Sequence, residues 1–225
     1  MAGLCQTNKR IIWIRFVKGA AWRLTLILIL ALTFIPLVYM VMTSFKDTHQ
    51  FYHSFWLPAF PLHLDNYVNA ANELKIYLAN SLVITTVSIA GIVVLASVAG
   101  FILARYSFPG REIIYYGIIA MMMVPGVLML VPSFVWVKQL GLIDTYAVMI
   151  LPYIAGGQIL GIFLLRTFFS QIDNGLFEAA QIDGAGMYRQ LWHIGLPLAR
   201  PVLGVLAITS ALNIWNNFLW PLVTT

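Results

Sequence analysis

The sequence predicts an all-α membrane protein, a polytopic bundle of transmembrane helices. Three observations carry that prediction. Apolar types make up 61% of the 225 residues and charged types only 9%, whereas a soluble domain carries roughly 25% charge to keep its surface solvated. Five apolar stretches reach membrane length, at 24–43, 79–104, 113–137, 146–169 and 196–222. About 20 residues suffice to cross ~30 Å of hydrocarbon at 1.5 Å per residue. No segment repeats the ten-residue apolar–polar alternation of a membrane barrel strand. Disorder, a secreted disulfide scaffold and a nucleic-acid binder are excluded by the same composition, and the single cysteine, Cys5, leaves no intramolecular disulfide.

Taken in order, residues 1–23 form a basic N-terminal tail with Lys9, Arg10, Arg15, Lys18 and Arg23. The stretch at 24–43 is long for the apolar region of a signal peptide and ends in Val41-Met42-Thr43-Ser44-Phe45-Lys46 without a small-x-small cleavage site, so it reads as a retained anchor. With the outer segment that follows, it makes a region 24–76. The outer segment, 46–78, holds Trp56, Pro58, Pro61 and three histidines, His49, His53 and His63. No cysteine or carboxylate stands beside these histidines at ligand spacing, so no metal site is expected. The other four spans make a core region, 77–225. Pro36, Pro125, Pro132, Pro152 and Pro201 punctuate the spans, which a bundle tolerates when neighbouring helices satisfy the freed carbonyls.

The basic residues set the orientation. Ten of the thirteen lie before the first span, between the second and third (Arg105, Arg111), or between the fourth and fifth and at their facing ends (Arg166, Arg189, Arg200). The opposite side has Lys46, Lys75 and Lys138, and the eight acidic residues divide evenly. Positive charge accumulates on the cytoplasmic side, which places the N-terminus inside. The net charge of +5 therefore reports topology, not affinity for nucleic acid.

The inner segment 170–195 is the informative loop. Asp173 or Asn174 can cap a helix, and Leu176, Ala180, Met187, Leu191 and Ile194 recur at helical spacing. Gly184 and Gly186 divide the run, so 173–193 is predicted as two short cytoplasmic helices with a break at 184–186. On these grounds alone the loop is either a rigid knob for a cytoplasmic partner or an amphipathic pair resting on headgroups.

Spacing distinguishes the two. Glu178-Ala179-Ala180, three residues, Gly184, nine residues, then Ile194-x-Leu196-Pro197 matches the EAA loop, EAA-x3-G-x9-I-x-L-P, at all seven specified positions. The chain therefore resembles the inner-membrane permease subunit of a binding-protein-dependent ATP-binding-cassette importer. Arg105-Tyr-Ser-Phe-Pro-Gly110, Val124-Pro-Gly126, Leu140-Gly-Leu-Ile-Asp-Thr145 and Asn216-Asn-Phe-Leu-Trp-Pro221 are similar to its carbohydrate-uptake branch, as are Ser44-Phe-Lys46 and Leu64-Asp-Asn-Tyr67. The second, maltose-type permease of a pair is the nearest likeness.

The resemblance implies a type I importer permease fold in a bacterial inner membrane, with a cytoplasmic EAA coupling helix. It implies a second permease subunit as heterodimer partner, two ATPase subunits that bind ATP and magnesium, and an extracytoplasmic solute-binding protein. Glu178 is then a charged contact at the ATPase groove, Ala179 and Ala180 permit close approach, Gly184 permits the turn, and Ile194, Leu196 and Pro197 anchor the loop to the fifth span. A sugar, polyol or glycerol phosphate is the implied substrate. Family members carry a sixth span after the Trp-Pro element, so the reading frame is expected to continue about fifty residues past Thr225 with one more crossing. Asp173-Asn174 replaces a common Pro-acidic start, and Gly186 stands where a capping Ser or Thr is usual.

The chain has no G-x-x-x-x-G-K-[ST] phosphate loop, so hydrolysis must come from a partner; no cofactor or metal is expected on this chain. The spans lack Asp and Glu, which counts against the alternative, an ion-coupled secondary transporter, although unwound carbonyls can bind sodium without carboxylates. An intramembrane enzyme lacks a paired His or Asp constellation. The neutral polar groups within the spans include Asn80, Ser81, Ser88, Ser97, Gln158, Asn213, Asn216 and Asn217, with Trp136, Trp215 and Trp220 nearby. Gln158, Asn213, Trp215, Asn216 and Asn217 are the pathway-lining candidates. Interhelical hydrogen bonding and an aromatic belt explain the same residues, and the sequence leaves both open.

Overall fold

The computed structural model describes the backbone of residues 2–225, and the side chains of residues 18, 19 and 21–225. The side chains of Cys5, Lys9, Arg10 and Arg15 lie outside the described residues. Every regular element among the described residues is helical. The chain forms two compact units, Met1–Lys75 and Ile76–Thr225.

In the N-terminal unit, helix α1 (Ala2–Ser44) is continuous through Pro36, and its part Ala21–Ser44 is long and apolar enough to cross a membrane. Thr25, Thr33 and Thr43 each donate their hydroxyl to the carbonyl four residues back, so these polar groups are satisfied within the helix. Asp47 caps α2 (Thr48–His53) in a reciprocal box with Gln50. Lys46 is buried, its ammonium donating to the Ser54 carbonyl at 2.6 Å.

Two features of this unit correct the sequence reading. The second span's helix, α3 (Asp65–Arg105), begins well before residue 79, because the apolar run marks the part that suits lipid while 65–78 is helical but polar. His63 also has carboxylate neighbours after all: the fold brings Asp47 to 3.5 Å and Asp65 to 3.6 Å from its ring. Both are ion-pair contacts within the outer segment.

The C-terminal unit is built on α3, α6 (Tyr146–Gln171) and α10 (Arg200–Trp215). Ile92, Ala96, Phe101, Leu165, Phe169 and Leu206 are its buried heart. The helices approach closely because glycines face bulk: a Cβ on Gly161 would stand 2.7 Å from the Ala96 Cβ, and one on Gly157 would collide with Ile92. Lipid gives apolar side chains no reason to associate, so close packing of small residues supplies the attraction.

The expected third and fifth spans are not straight rods. The third is α4 (Arg111–Met121) followed by a 3-10 turn, Gly126–Met129, and α5 (Leu130–Gln139), bent by 96°. Pro125 in extended geometry ends the first arm, since proline disfavours helix in the residue before it and cannot donate a hydrogen bond. The fifth combines an arm over Met187–Leu198 with Arg200–Trp215, bent by 77° at Ala199. Pro201 opens α10, at a position where its missing N–H costs nothing. Residues 196–198 thus belong to the approach arm. After Trp215 the chain turns and resumes as α11 (Leu219–Thr224).

Candidate functional site

The loop of the EAA spacing opens with α7 (Asn174–Ile182), and the Asp173 carboxylate accepts from the Gly175 amide at 2.6 Å. Gly184 has φ +77°. The Ala185 amide donates to the Ala180 carbonyl at 2.8 Å, and the Gly184 amide to the Gln181 carbonyl at 3.1 Å. This pair of bonds is a Schellman cap with glycine in the left-handed position. The motif spacing therefore has a backbone reason: Ala180 and Gly184 are the two ends of one helix stop. A side chain at Gly184 would meet open space, so backbone angle alone selects glycine there.

Beyond the turn, α8 (Met187–Gln190) passes without a stop into a π-helical run, Leu191–Gly195, and α9 (Leu196–Leu198). The predicted second short helix is thus the start of a longer arm. Gly186 offers it no side-chain cap. The buried Gln190 amide donates to the Ala185 carbonyl at 2.7 Å and so ties the arm to the turn before it. Met187, Leu191, Ile194 and Leu196 pack into the core, while Pro197 is exposed.

Sequence periodicity misassigned one residue of the apolar stripe. Leu176 is exposed and its neighbour Phe177 is buried. Phe177 lies under the Arg105 guanidinium, 4.1 Å from ring centroid to Cζ, and 5.7 Å from the Phe101 ring. The same guanidinium donates to the Asn174 side-chain oxygen and to the Ile172 carbonyl, each at 2.5 Å. The opposite face of α7 is free. Glu178, Ala179 and Gln181 are exposed and Ile182 is 88% exposed, and Glu178 has no ion-pair partner among the described residues. Nearby, Glu112 pairs with Arg111 at 2.7 Å and Arg166 at 3.3 Å, while Arg166 stacks 3.9 Å from the Tyr115 centroid.

At the other end of the same helices a pocket of about 480 Å³ opens between α3, α6 and the α10–α11 turn. Tyr77, Asn80, Asp144, Tyr146, Trp215 and Asn217 are prominent on its wall, and Asp144 is the one charged side chain among the described residues lining it. The Tyr146 hydroxyl donates to the Asn80 side-chain oxygen at 2.8 Å. Asp144, at φ +61°, donates its amide to the Thr224 carbonyl. Buried Trp220 fixes the rim by donating its indole N–H to the Val148 carbonyl at 2.9 Å, and its own amide donates to the Asn217 side chain. Of the five pathway candidates, Trp215 and Asn217 reach this pocket. Gln158 instead donates to the Ile154 and Ile92 carbonyls within the bundle. Asn216 bonds the Leu212 carbonyl of its own helix, and Asn213 is exposed away from the lining.

The sequence reading missed Arg105 as a ligand of the loop, and also Phe177, Gln190 and Asp144. Arg105 and Asp144 stood in quoted motifs, but the contact partners of Arg105, Phe177 and Asp144 are distant in the chain, and Gln190 reaches back five residues to Ala185.

Comparison with known proteins gives the family and the fold. Residues 92–225 match the family described as "Binding-protein-dependent transport system inner membrane component". The chain is 36% identical to the diacetylchitobiose uptake system permease protein NgcG of Streptomyces coelicolor, over 87% of this chain and 66% of that one. It is 32% identical to the arabinooligosaccharides transport system permease protein AraQ of Halalkalibacterium halodurans, over 84% and 69%. It thus spans about two thirds of the length of these relatives. Its fold is that of a chain in the crystal structure of a bacterial ABC transporter involved in the import of the acidic polysaccharide alginate, with TM-score 0.75 and 21% identity over 92% of this chain and 74% of that one. By these matches the chain belongs to the family of inner membrane components of binding-protein-dependent transport systems.

Proposed function

We propose that the chain is one of two permease subunits in a bacterial importer that takes up a neutral saccharide. Two ATPase subunits, which bind ATP and magnesium, drive it from the cytoplasm, and an extracytoplasmic binding protein delivers the sugar. The N-terminus is cytoplasmic, as the ten-to-three division of basic residues supports. The observation that carries the reading is the two-faced α7. One face is tied to the bundle through Phe177, and the other presents Glu178 and Ile182, a charged and apolar surface suited to a groove on a partner. A short helix held at its start by Asp173 and stopped by the Gly184 cap is stiff enough to transmit a rigid-body motion.

A saccharide is favoured over glycerol phosphate by the pocket. Aromatic faces, amides, hydroxyls and one carboxylate suit sugar rings and hydroxyls, whereas a phosphate ester beside Asp144 meets like charge without a cation on the wall. The relatives named for diacetylchitobiose and arabinooligosaccharides support the same class.

The test is reconstitution of the full transporter in vesicles with its binding protein, reading ATP hydrolysis and uptake together. Neutral oligosaccharides are expected to stimulate hydrolysis and accumulate, and glycerol phosphate to do neither. Uptake driven by an ion gradient without ATP would overturn the reading.

A further inference from the structure

We infer that Arg105 is a positioning residue for coupling, the joint through which motion of the loop enters helix α3. The inference rests on the proposed coupling role of the loop. Three attachments converge on one side chain. The Arg105 guanidinium donates to the Ile172 carbonyl just before α7 and to the Asn174 side chain in its first turn, and it stacks on Phe177 one turn later. A planar fork can hold two acceptors and an aromatic face at once; an ammonium cannot.

Behind the joint the contacts are rigid. Phe101 lies one turn before Arg105 on α3 and is fully buried, as is Phe169 at the end of α6. Their rings meet edge to face at 5.4 Å, and Phe177 packs on Phe101 from the loop side. A Cβ on Gly195 would lie 3.4 Å from both Phe101 and Phe169, so the returning arm closes the box. The first helix of the loop is thereby seated on α3, α6 and the arm, with Arg105 as its polar tie.

What lies at the far end of α3 gives this tie its consequence. The helix runs unbroken from Asp65 to Arg105 with no internal proline, whereas the third and fifth spans bend by 96° and 77°. From Arg105 back to Asn80 is about 38 Å of helix at 1.5 Å per residue, and there Tyr77, Asn80 and Ser81 form one wall of the pocket. A displacement of α7 passed to Arg105 arrives at that wall without crossing a hinge.

The experiment uses the complete transporter, with partner permease, ATPases and binding protein, in vesicles. It measures sugar molecules imported per ATP hydrolysed and the amount of ATPase that copurifies. Arg105→Lys keeps the charge but loses the fork and the stacking; the ratio is expected to fall about tenfold with ATPase docking unchanged. Phe177→Leu is expected to lower it in the same direction, and Phe177→Trp, which retains the aromatic face, to hold within about twofold of the native ratio. Glu178→Lys, on the opposite face, serves as the control and is expected to reduce docking. An unchanged ratio in Arg105→Lys while Glu178→Lys impairs docking overturns the joint and leaves the coupling loop standing. Equal losses of uptake and hydrolysis in Arg105→Lys also overturn it, since a purely structural tie lowers both. Native behaviour in all variants, Glu178→Lys included, removes the coupling loop itself and the joint with it.

Discussion

The two ends of the C-terminal unit solve the same problem in different ways. Each has helices that stop and turn, leaving backbone groups to be satisfied. At the loop end, long polar side chains do this: Arg105 binds the Ile172 carbonyl, Gln190 the Ala185 carbonyl and Arg111 the Tyr106 carbonyl. At the pocket end neutral side chains and backbone groups do it. Tyr146 meets Asn80, Trp220 meets Val148 and Asn217, and the Asp144 amide meets Thr224. The two arginine bonds are charge-assisted, roughly twice as strong as neutral ones, so the loop end is tied where the pocket end is open. Under the proposed function, a part that transmits force benefits from the first arrangement, and a part that admits and releases a sugar from the second.

The sharpest way to break this contrast is Gly184→Pro. Proline fixes φ near −65° where the turn has +77°, and it removes the amide that reaches Gln181. Uptake is expected to vanish while the subunit stays in the membrane and pocket-end ligand contacts survive; retained transport in vesicles would mean the cap does not set the loop. Gly184→Ala isolates the backbone term, because its Cβ meets nothing. Its cost is expected to be about 1–2 kcal/mol, the left-handed penalty alone, with uptake per ATP reduced rather than lost.

Gly161→Leu acts on what the two ends share. With the Ala96 Cβ already 2.7 Å from the new Cβ position, overpacking is expected to cost about 1–3 kcal/mol. Thermal stability in detergent should fall, and both uptake and hydrolysis should drop in proportion. A change in their ratio alone would contradict a shared core.

A smaller and one-sided effect is expected at the pocket. Asp144→Asn removes a charged acceptor for sugar hydroxyls, and hydrogen bonds to charged groups are worth about 1.5–3 kcal/mol. The KM for uptake should rise on the order of tenfold, with the binding protein's own sugar affinity and the coupling ratio unaltered. An unchanged KM would remove the pocket from the sugar's route. Least of all should come from Asn216→Ala, since that amide is exposed and bonds only its own helix; a loss of uptake beyond about twofold would call for a ligand contact there.

The bundle was legible because lipid imposes a crude rule, long apolar runs with charge at their ends, that one chain displays without knowledge of its neighbours. The loop was legible for a related reason. Ala180 and Gly184 are four residues apart, and the cap they form is local, so their spacing survives in the sequence. Bends were not legible. Pro125 and Pro201 announced themselves, but so did Pro36 and Pro152, which stay inside unbroken helices. Whether proline breaks a helix depends on what neighbours supply to the freed groups, and that is a tertiary matter.

By itself, then, the sequence determined the all-helical fold, the position of the capped loop and its family, all consequences of local spacing and of the solvent around the chain. Only the tertiary structure decided that Phe177 rather than Leu176 turns inward, that Arg105 ties the loop to α3, and that Trp215 and Asn217 share a pocket with Asp144 while Gln158 does not. Those choices are made between residues some seventy positions apart, as with Arg105 and Asn174 or Asn217 and Asp144. A periodic pattern fixes which residues share a helix face, but only the packed neighbour determines which face it covers.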